Sequence, residues 1–430
     1  MQIPRYDLST ISDAERRRLV VRSAVPDPAV RDGAAAICED VRTGGDAALR
    51  AASQRFGGGR DGTILVSPEE MQAALDDQPA EVVDAMRAAI ANVETAHRAQ
   101  LPDTLTVTTT PGVTIERRWS PLRRVGAYVP GGKAAYPSSL IMTVVPARVA
   151  GVDEVVVASP AADGILHPAM LAAAALLEVD ELYAMGGAQA IAALAHGTET
   201  IRPVEKIVGP GSAWVTAAKL HVLGTCSIDL PAGPSEVLVL ADATADPELV
   251  AVDLLCQAEH GPDSPAVLVT DDPGLPDRVV AEVDRLLPDL ARAEILALAL
   301  EKHGSLVVAP DLDAAIGFAN DYGPEHISVN TADAPAVAAR LRAVGSVYVG
   351  EWAPESAGDY ATGANHVLPT GGLARAEGPL SVDDYGSWRQ VQHISREGLE
   401  ALAPTITTLA DAEGLTAHGL AASIRLRSDR

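Results

Sequence analysis

From Arg124 onward the chain alternates short apolar runs with Ala-rich helical patterns, and this rhythm constrains the fold more than any other feature. The runs lie at 125–129, 154–158, 181–184 and 206–208, then at 236–241, 266–270, 305–308, 326–329 and 345–349. Short strands without polar alternation, separated by helix-length connections, make parallel sheets covered on both faces. Two α/β units of similar size are expected, with a boundary near residues 230–235. No strand is followed by GxGxxG. The fold class is therefore α/β: two Rossmann-like units with an incomplete dinucleotide fingerprint, plus small helical N- and C-terminal segments.

The first 100 residues read as mostly helical. Ser12 and Glu15 form a capping box. Asp27-Pro28 opens a helix that Gly44-Gly45 interrupts, and Ser67-Pro68 opens another. Residues 79–100 read as a long amphipathic helix. Residues 105–109 and 113–118 alternate around Thr110-Pro111-Gly112, as a hairpin does. A loop-rich stretch at 351–378 and a helical tail from about Ser395 follow.

Lys and Arg total 33 against 58 Asp and Glu, a net charge of −25. So acidic a chain lacks the basic surface that nucleic acid or an anionic membrane requires. A small anion held by backbone amides remains open. The most apolar stretch, 140–152, is broken by Pro146 and Arg148 and is too short to span a bilayer. MQIPRYDLST has no basic region leading into an apolar core, so no secretory leader is expected and a cytoplasmic location is. Cys38, Cys226 and Cys256 are far apart and odd in number. Three small buried apolar side chains are expected rather than a disulfide framework or a thiolate zinc site.

Three turns carry glycines where a strand passes into a helix: Tyr128-Val-Pro-Gly-Gly-Lys133, Gly186-Gly187-Ala188-Gln189 and Gly209-Pro210-Gly211-Ser212. Each alone is an ordinary βα turn. Three in one unit, all at carboxyl ends of strands, point to a ligand on that side. In Gln257-Ala-Glu259-His260 the first and last residues share a helix face, with Asp253 one turn earlier on it. Gln is an uncommon zinc ligand, so a solvated helix end is the more ordinary reading of that spacing, with a metal site as the alternative. Glu325-His326 can act as acid–base partners only if they lie on a loop, because neighbouring strand residues point to opposite faces. A capped turn is the alternative. Glu355-Ser-Ala-Gly-Asp359 and Gly363-Ala-Asn365-His366 place two carboxylates and a histidine on a Gly-rich loop, which function or simple solvation would explain. Glu413 and His418 lie in the tail.

Read in order, YVPGGKAAYPSSLIMTVVPA, GGAQAIAALAHGTE, IVGPGSAWVTAAK, IDLPAGPSEVLVLAD, DLLCQAEHGPDS, DYGPEH, PESAGDYATGANHVLPT and DAEGLTAHG resemble the histidinol dehydrogenase family. The resemblance runs over roughly residues 10 to 420. It implies a zinc-dependent enzyme that oxidises L-histidinol to L-histidinal and then to L-histidine with NAD, the last steps of L-histidine biosynthesis. It implies one Zn2+ per subunit on Gln257, His260, Asp359 and His418, the tail histidine coming from a partner subunit. The catalytic pair falls on Glu325 and His326. Substrate contacts fall on Ser235, His366 and Glu413, besides His326 and the four zinc ligands. Nucleotide contacts fall on Tyr128, Gln189 and Ser212, where Ser212 stands in place of the family's asparagine. A domain-swapped homodimer with shared sites is implied. The domain division that goes with it is 1–24, then 25–127 with 236–377, then 128–235, then 378–430.

Oxidising a primary alcohol to an acid takes two hydride transfers, so two NAD molecules are expected in succession. His326 suits the hydroxyl proton and Glu325 the activation of water on the aldehyde. Three rival readings predict different residues. A sibling dehydrogenase for a sulfonated diol would carry basic residues where Glu413 and His366 stand. A non-catalytic zinc or nucleotide binder would lack Glu325 or His326. A zinc hydrolase would need no three-turn nucleotide unit.

Overall fold

The computed structural model describes residues 1–131 and 136–427. Strand β1 (Arg5–Asp7) leads into the helix Asp13–Val20, whose Ser12/Glu15 capping box is formed. The helix Pro28–Phe56 carries Gly45 at φ +52°, a backbone state that glycine adopts without steric cost, and the helix kinks there. The Asp46 N–H released by the kink donates to Glu199 Oε2 at 2.7 Å. The helices Pro68–Asp76 and Ala80–Arg98 follow, then the hairpin β2 (Leu105–Thr110) and β3 (Val113–Pro121).

The strands β4 (Arg124–Tyr128), β5 (Glu154–Ser159), β6 (Glu181–Ala184), β7 (Lys206–Val208) and β8 (Ser227–Ile228) form a parallel sheet in the order β6-β5-β4-β7-β8. The strands β9 (Val237–Ala241), β10 (Ala266–Thr270), β11 (Gly304–Val308), β12 (His326–Asn330) and β13 (Ser346–Val349) form a second, with β1 at its edge. Its order is β1-β11-β10-β9-β12-β13, again parallel throughout. With β1 set aside, both sheets run third, second, first, fourth, fifth in chain order. That is doubly wound topology, with a switch point between β4 and β7 in one sheet and between β9 and β12 in the other. Alternate residues of β5 feed opposite cores: Val155 and Val157 pack with Leu140 and Val144, whereas Val156 and Ala158 pack with Ile191 and Leu194. The chain passes from one sheet to the other at 229–236.

Strand β14 (Gly386–Ile394) pairs antiparallel with β3 along its whole length, completing a three-stranded sheet β14-β3-β2. The tail helices Arg396–Ala412 and Thr416–Ser423 pack on each other and leave Leu409, Leu415 and Leu420 exposed. No helix among the described residues is long and apolar enough to cross a membrane.

The helices between residues 28 and 98 pack mainly on the helices of the 124–228 unit, and the helix Ala80–Arg98 also meets the later loop, where Asn92 Nδ2 donates to the Ala361 carbonyl at 2.7 Å and His97 Nε2 lies 3.4 Å from Asn365 Nδ2. Ala34, Ile37, Cys38, Val41, Met86 and Val93 sit in that unit's cores. An amphipathic pattern says that a helix has an apolar face but not which sheet will cover it. Residues 1–24 contribute a strand as well as a helix. Within 378–430, Leu380, Val382 and Tyr385 belong to the core of the 124–228 unit, so that stretch is not a separate body.

Candidate active site

Opposite ends of the two sheets meet at one cavity of about 570 Å3. Pro130, Pro210, Gly211 and Ser212, at the carboxyl ends of β4 and β7, line one side. Ser235, Glu325 and His326, at the amino ends of β9 and β12, line the other, with His260, Asp359 and His366.

His326 is the first residue of β12 and Glu325 lies just before it, so the pair shares a site without a longer loop. The Ser235 hydroxyl donates to Glu325 Oε2 at 2.7 Å, and the Glu236 N–H donates to the same oxygen at 2.8 Å. His326 Nδ1 lies 3.2 Å from the Glu236 carbonyl and 3.7 Å from Glu325 Oε2. A proton on Nδ1 satisfies that carbonyl and leaves Nε2 as the basic nitrogen. Nε2 is buried and has no protein partner. Burial pushes the imidazole down to about 3, so the ring is a neutral base. Burial pushes Glu325 well above the usual carboxylate range, against the hydrogen bonds from Ser235 and Glu236.

Gln257 occupies the last turn of the helix Pro247–Ala258 and is fully buried, with neither amide atom partnered. His260 follows two residues beyond the helix. Glu355 and Asp359 stand one turn apart on the short helix Glu355–Tyr360. His260, Glu355 and Asp359 bring one ligand atom each to within 4.8 Å of one another. Both Glu355 oxygens are buried without a hydrogen-bond donor. Burial raises Glu355 well above its ordinary range and Asp359 to about 6. Unpartnered buried amides and carboxylates carry an uncompensated desolvation cost, which a divalent cation among them removes. The nitrogen and oxygen donors fit zinc. His366 is held beside them: Nδ1 lies 3.0 Å from the Asp359 carbonyl and Nε2 lies 3.2 Å from Ser139 Oγ.

Other expected site residues fall elsewhere. Tyr128 is buried and its hydroxyl accepts the Gly187 N–H at 3.2 Å. Gln189 is buried and its amide donates to the Gly57 carbonyl at 3.3 Å. Both lie beneath the glycine turns, and of the three expected nucleotide contacts Ser212 alone lines the cavity. Residues 132–135 of the first turn, Lys133 among them, lie outside the described residues. Asp253 turns to β12, accepting from Ser328 Oγ at 2.6 Å and Asn330 Nδ2 at 3.4 Å, so it does not back Gln257. Glu413 and His418 are exposed on the tail and do not line the cavity. Glu355 was missed as a donor, although its four-residue spacing from Asp359 puts both on one helix face.

The sequence model described as histidinol dehydrogenase matches residues 21–426. A protein of Methanosarcina mazei named histidinol dehydrogenase is 44% identical over 98% of this chain and 96% of its own. One of the same name from Halobacterium salinarum is 48% identical over 93% of this chain and 94% of its own. The crystal structure of histidinol dehydrogenase from Elizabethkingia anophelis superposes with a TM-score of 0.93 at 36% identity, covering 99% of this chain and 98% of that one. The chain belongs to the histidinol dehydrogenase family.

Proposed function

We propose that the protein oxidises L-histidinol to L-histidinal and then to L-histidine, with NAD as the acceptor in both steps and zinc in the His260 site. One observation carries this reading: a single cavity joins a neutral imidazole and a carboxyl group to a cluster of unpartnered metal donors, opposite the uncapped helix start at Ser212. The alcohol, one water and two NAD+ give the carboxylate, two NADH and three protons.

His326 Nε2 takes the hydroxyl proton in the first step. Glu325, held by Ser235 and the Glu236 amide, takes a proton from the water that adds to the aldehyde. Gln257, His260 and Asp359 would hold zinc with His418 of the partner subunit, and Glu355 stands close enough to join them. Zinc, when bound, would supply a Lewis-acidic anchor for the nitrogens of the substrate. NAD supplies the hydride acceptor. The backbone amides at Ser212 and the neighbouring glycines would hold its phosphates.

The tail's exposed Leu409, Leu415 and Leu420 support its docking on a second copy, which would carry Glu413 and His418 to that copy's site. A second cavity of about 780 Å3, lined by Met86, Ile141, Cys256 and Tyr360 and opening beside His260 and Asp359, offers the room. A cytoplasmic homodimer with shared sites follows from this reading.

The test is the stoichiometry of NAD reduction. Two NADH per histidinol, with histidine as the end product and loss of activity when the metal is chelated, are expected. One NADH per substrate, or full activity in metal-free enzyme, overturns the reading. Mixing Glu325→Gln and His418→Asn chains should restore about a quarter of the sites if random heterodimers form with shared sites.

A further inference from the structure

We propose that Arg22, in the N-terminal segment, is a positioning residue for the catalytic pair and acts through Glu236. The inference rests on the reading above that Glu325 and His326 carry the reaction. Arg22 forks onto the Glu236 carboxylate, with Nε to Oε2 at 2.8 Å and Nη2 to Oε1 at 2.6 Å. Its Nη1 donates to the carbonyls of Tyr322 at 2.8 Å and Val20 at 3.2 Å. The guanidinium lies over the Tyr322 ring, 3.3 Å from its centroid. Every part of the side chain is thus engaged, and its planar fork fixes the carboxylate in two directions at once.

Glu236 is the residue that matters for the chemistry. Its carboxylate is 2% exposed and takes a further hydrogen bond from the Gly371 N–H at 3.2 Å. Its backbone holds both members of the pair. The N–H donates to Glu325 Oε2, and the carbonyl accepts from the His326 N–H and faces His326 Nδ1, each at 3.2 Å. Tyr322, which Arg22 also grips, ends the helix Leu312–Tyr322 three residues before Glu325. Arg22 therefore braces the chain on both sides of the pair: Glu236 at the start of β9 and Tyr322 ahead of β12. Ser23, Ala24 and Val25, directly after it, line the catalytic cavity. Without Arg22 a buried carboxylate is left without its cation, and the backbone that carries it has cause to move. A displacement of about 1 Å at a reacting group costs roughly 100-fold in rate.

The experiment uses the full-length, metal-loaded enzyme with Arg22→Met, Arg22→Lys and the double variant Arg22→Met/Glu236→Gln, alongside Glu325→Gln and His326→Asn. Arg22→Met should lower kcat by about 10- to 100-fold, leaving metal content and both KM values within about threefold. Arg22→Lys keeps the charge without the fork and should recover part of the rate. The double variant should turn over faster than Arg22→Met, because the unpaired buried charge is gone. A purely structural role would lower the melting temperature and the folded fraction while kcat per folded, metal-loaded enzyme stayed level, and that result overturns the inference. So does a kcat within about twofold of wild type for Arg22→Met while His326→Asn is inactive. Should Arg22→Met fail to fold, the kcat and KM of Arg22→Lys decide by the same criterion. If Glu325→Gln and His326→Asn both keep full activity, the assignment of the pair itself has failed, which is a different outcome.

Discussion

The two doubly wound units share one strand order and use opposite ends of it. In the 124–228 unit the carboxyl ends are open. The helices starting at Pro137 and Ala213 have no side chain capping their first amides, and the first amide of the helix starting at Gly187 meets a neutral hydroxyl, that of Tyr128, rather than a carboxylate. Its amino ends are closed by ion pairs of Arg124 and Arg202 with Glu154 and Glu181. In the 237–349 unit the arrangement is reversed. Asp246 and Asp311 cap the helices that follow β9 and β11, and Asp242, Asp271 and Asp272 crowd the same end. Its amino ends present Ser235, Glu325 and His326 to the cavity. Winding order alone therefore does not say where a ligand goes. What occupies the first helical amides does: glycine turns leave them free for an anion, whereas aspartates use them and repel it.

Variants at each end should separate along this line, and the largest effect belongs to the amino end that carries Glu325 and His326. His326→Asn should lower turnover by about 100- to 10,000-fold while NADH affinity, followed by fluorescence, stays level. The open carboxyl end comes next. Gly209 has φ +105° and a Cβ there would stand 2.1 Å from the Tyr128 carbonyl oxygen. Gly209→Ala should weaken NAD binding by about tenfold or more, with metal content intact. A loss of metal with nucleotide affinity unchanged would erase the contrast between the ends.

The closed amino end should matter for stability alone. Arg124→Met should cost about 2 kcal/mol in denaturant unfolding, discounted for partial exposure, with kcat per folded enzyme unchanged. This cluster also sets a pH dependence. Burial opposes ionisation of Glu181, yet hydrogen bonds from Arg124 and Tyr183 outweigh it and hold the carboxyl down to about 2. A carboxyl depressed in the folded state stabilises above its unfolded pKa of 4.5, and that stability is lost as pH falls toward 2. The acid limb of wild-type unfolding should therefore be steeper than that of Arg124→Met. The smallest effect falls at the acidic carboxyl end. Asp242 accepts the N–H groups of Ala332 at 2.8 Å and Thr244 at 2.9 Å. Asp242→Asn should cost about 1 kcal/mol of stability and nothing in activity. A changed NAD affinity in that variant would mean that this end also meets the nucleotide.

Of the fourteen strands among the described residues eleven were legible, nine because buried parallel strands are short apolar runs bounded by turns and two because a hairpin alternates around its turn. The three that were not are instructive. β1 and β8 are too short, at 3 and 2 residues, to show a period. β14 is mostly exposed and finds its partner β3 more than 250 positions earlier in the chain. In the site, the spacing of Gln257 and His260 was ambiguous because Glu355 and Asp359 join them from about 100 residues away. The resemblance supplied Asp359 but not Glu355, and the unpartnered oxygens of Glu355 become evident only once burial is known. Arg22 carries no local signal at all: its meaning lies in Glu236, more than 200 residues on.

The meeting of a carboxyl end with an amino end has a consequence for the direction of electron flow. Helices in such units run against their strands, so the cavity lies between the N-terminus of the helix Ala213–Val222 and the C-terminus of the helix Pro247–Ala258. Each terminus carries about half an elementary charge of its macrodipole, positive at the first and negative at the second. The scaffold thus imposes a standing field across the cavity. On the proposed reading, a cationic amino alcohol sits at the negative pole and the nucleotide at the positive one. A hydride leaving the alcohol carbon carries negative charge toward the positive pole, so the backbone favours the oxidised side of the enzyme-bound transfer while the overall equilibrium is unchanged.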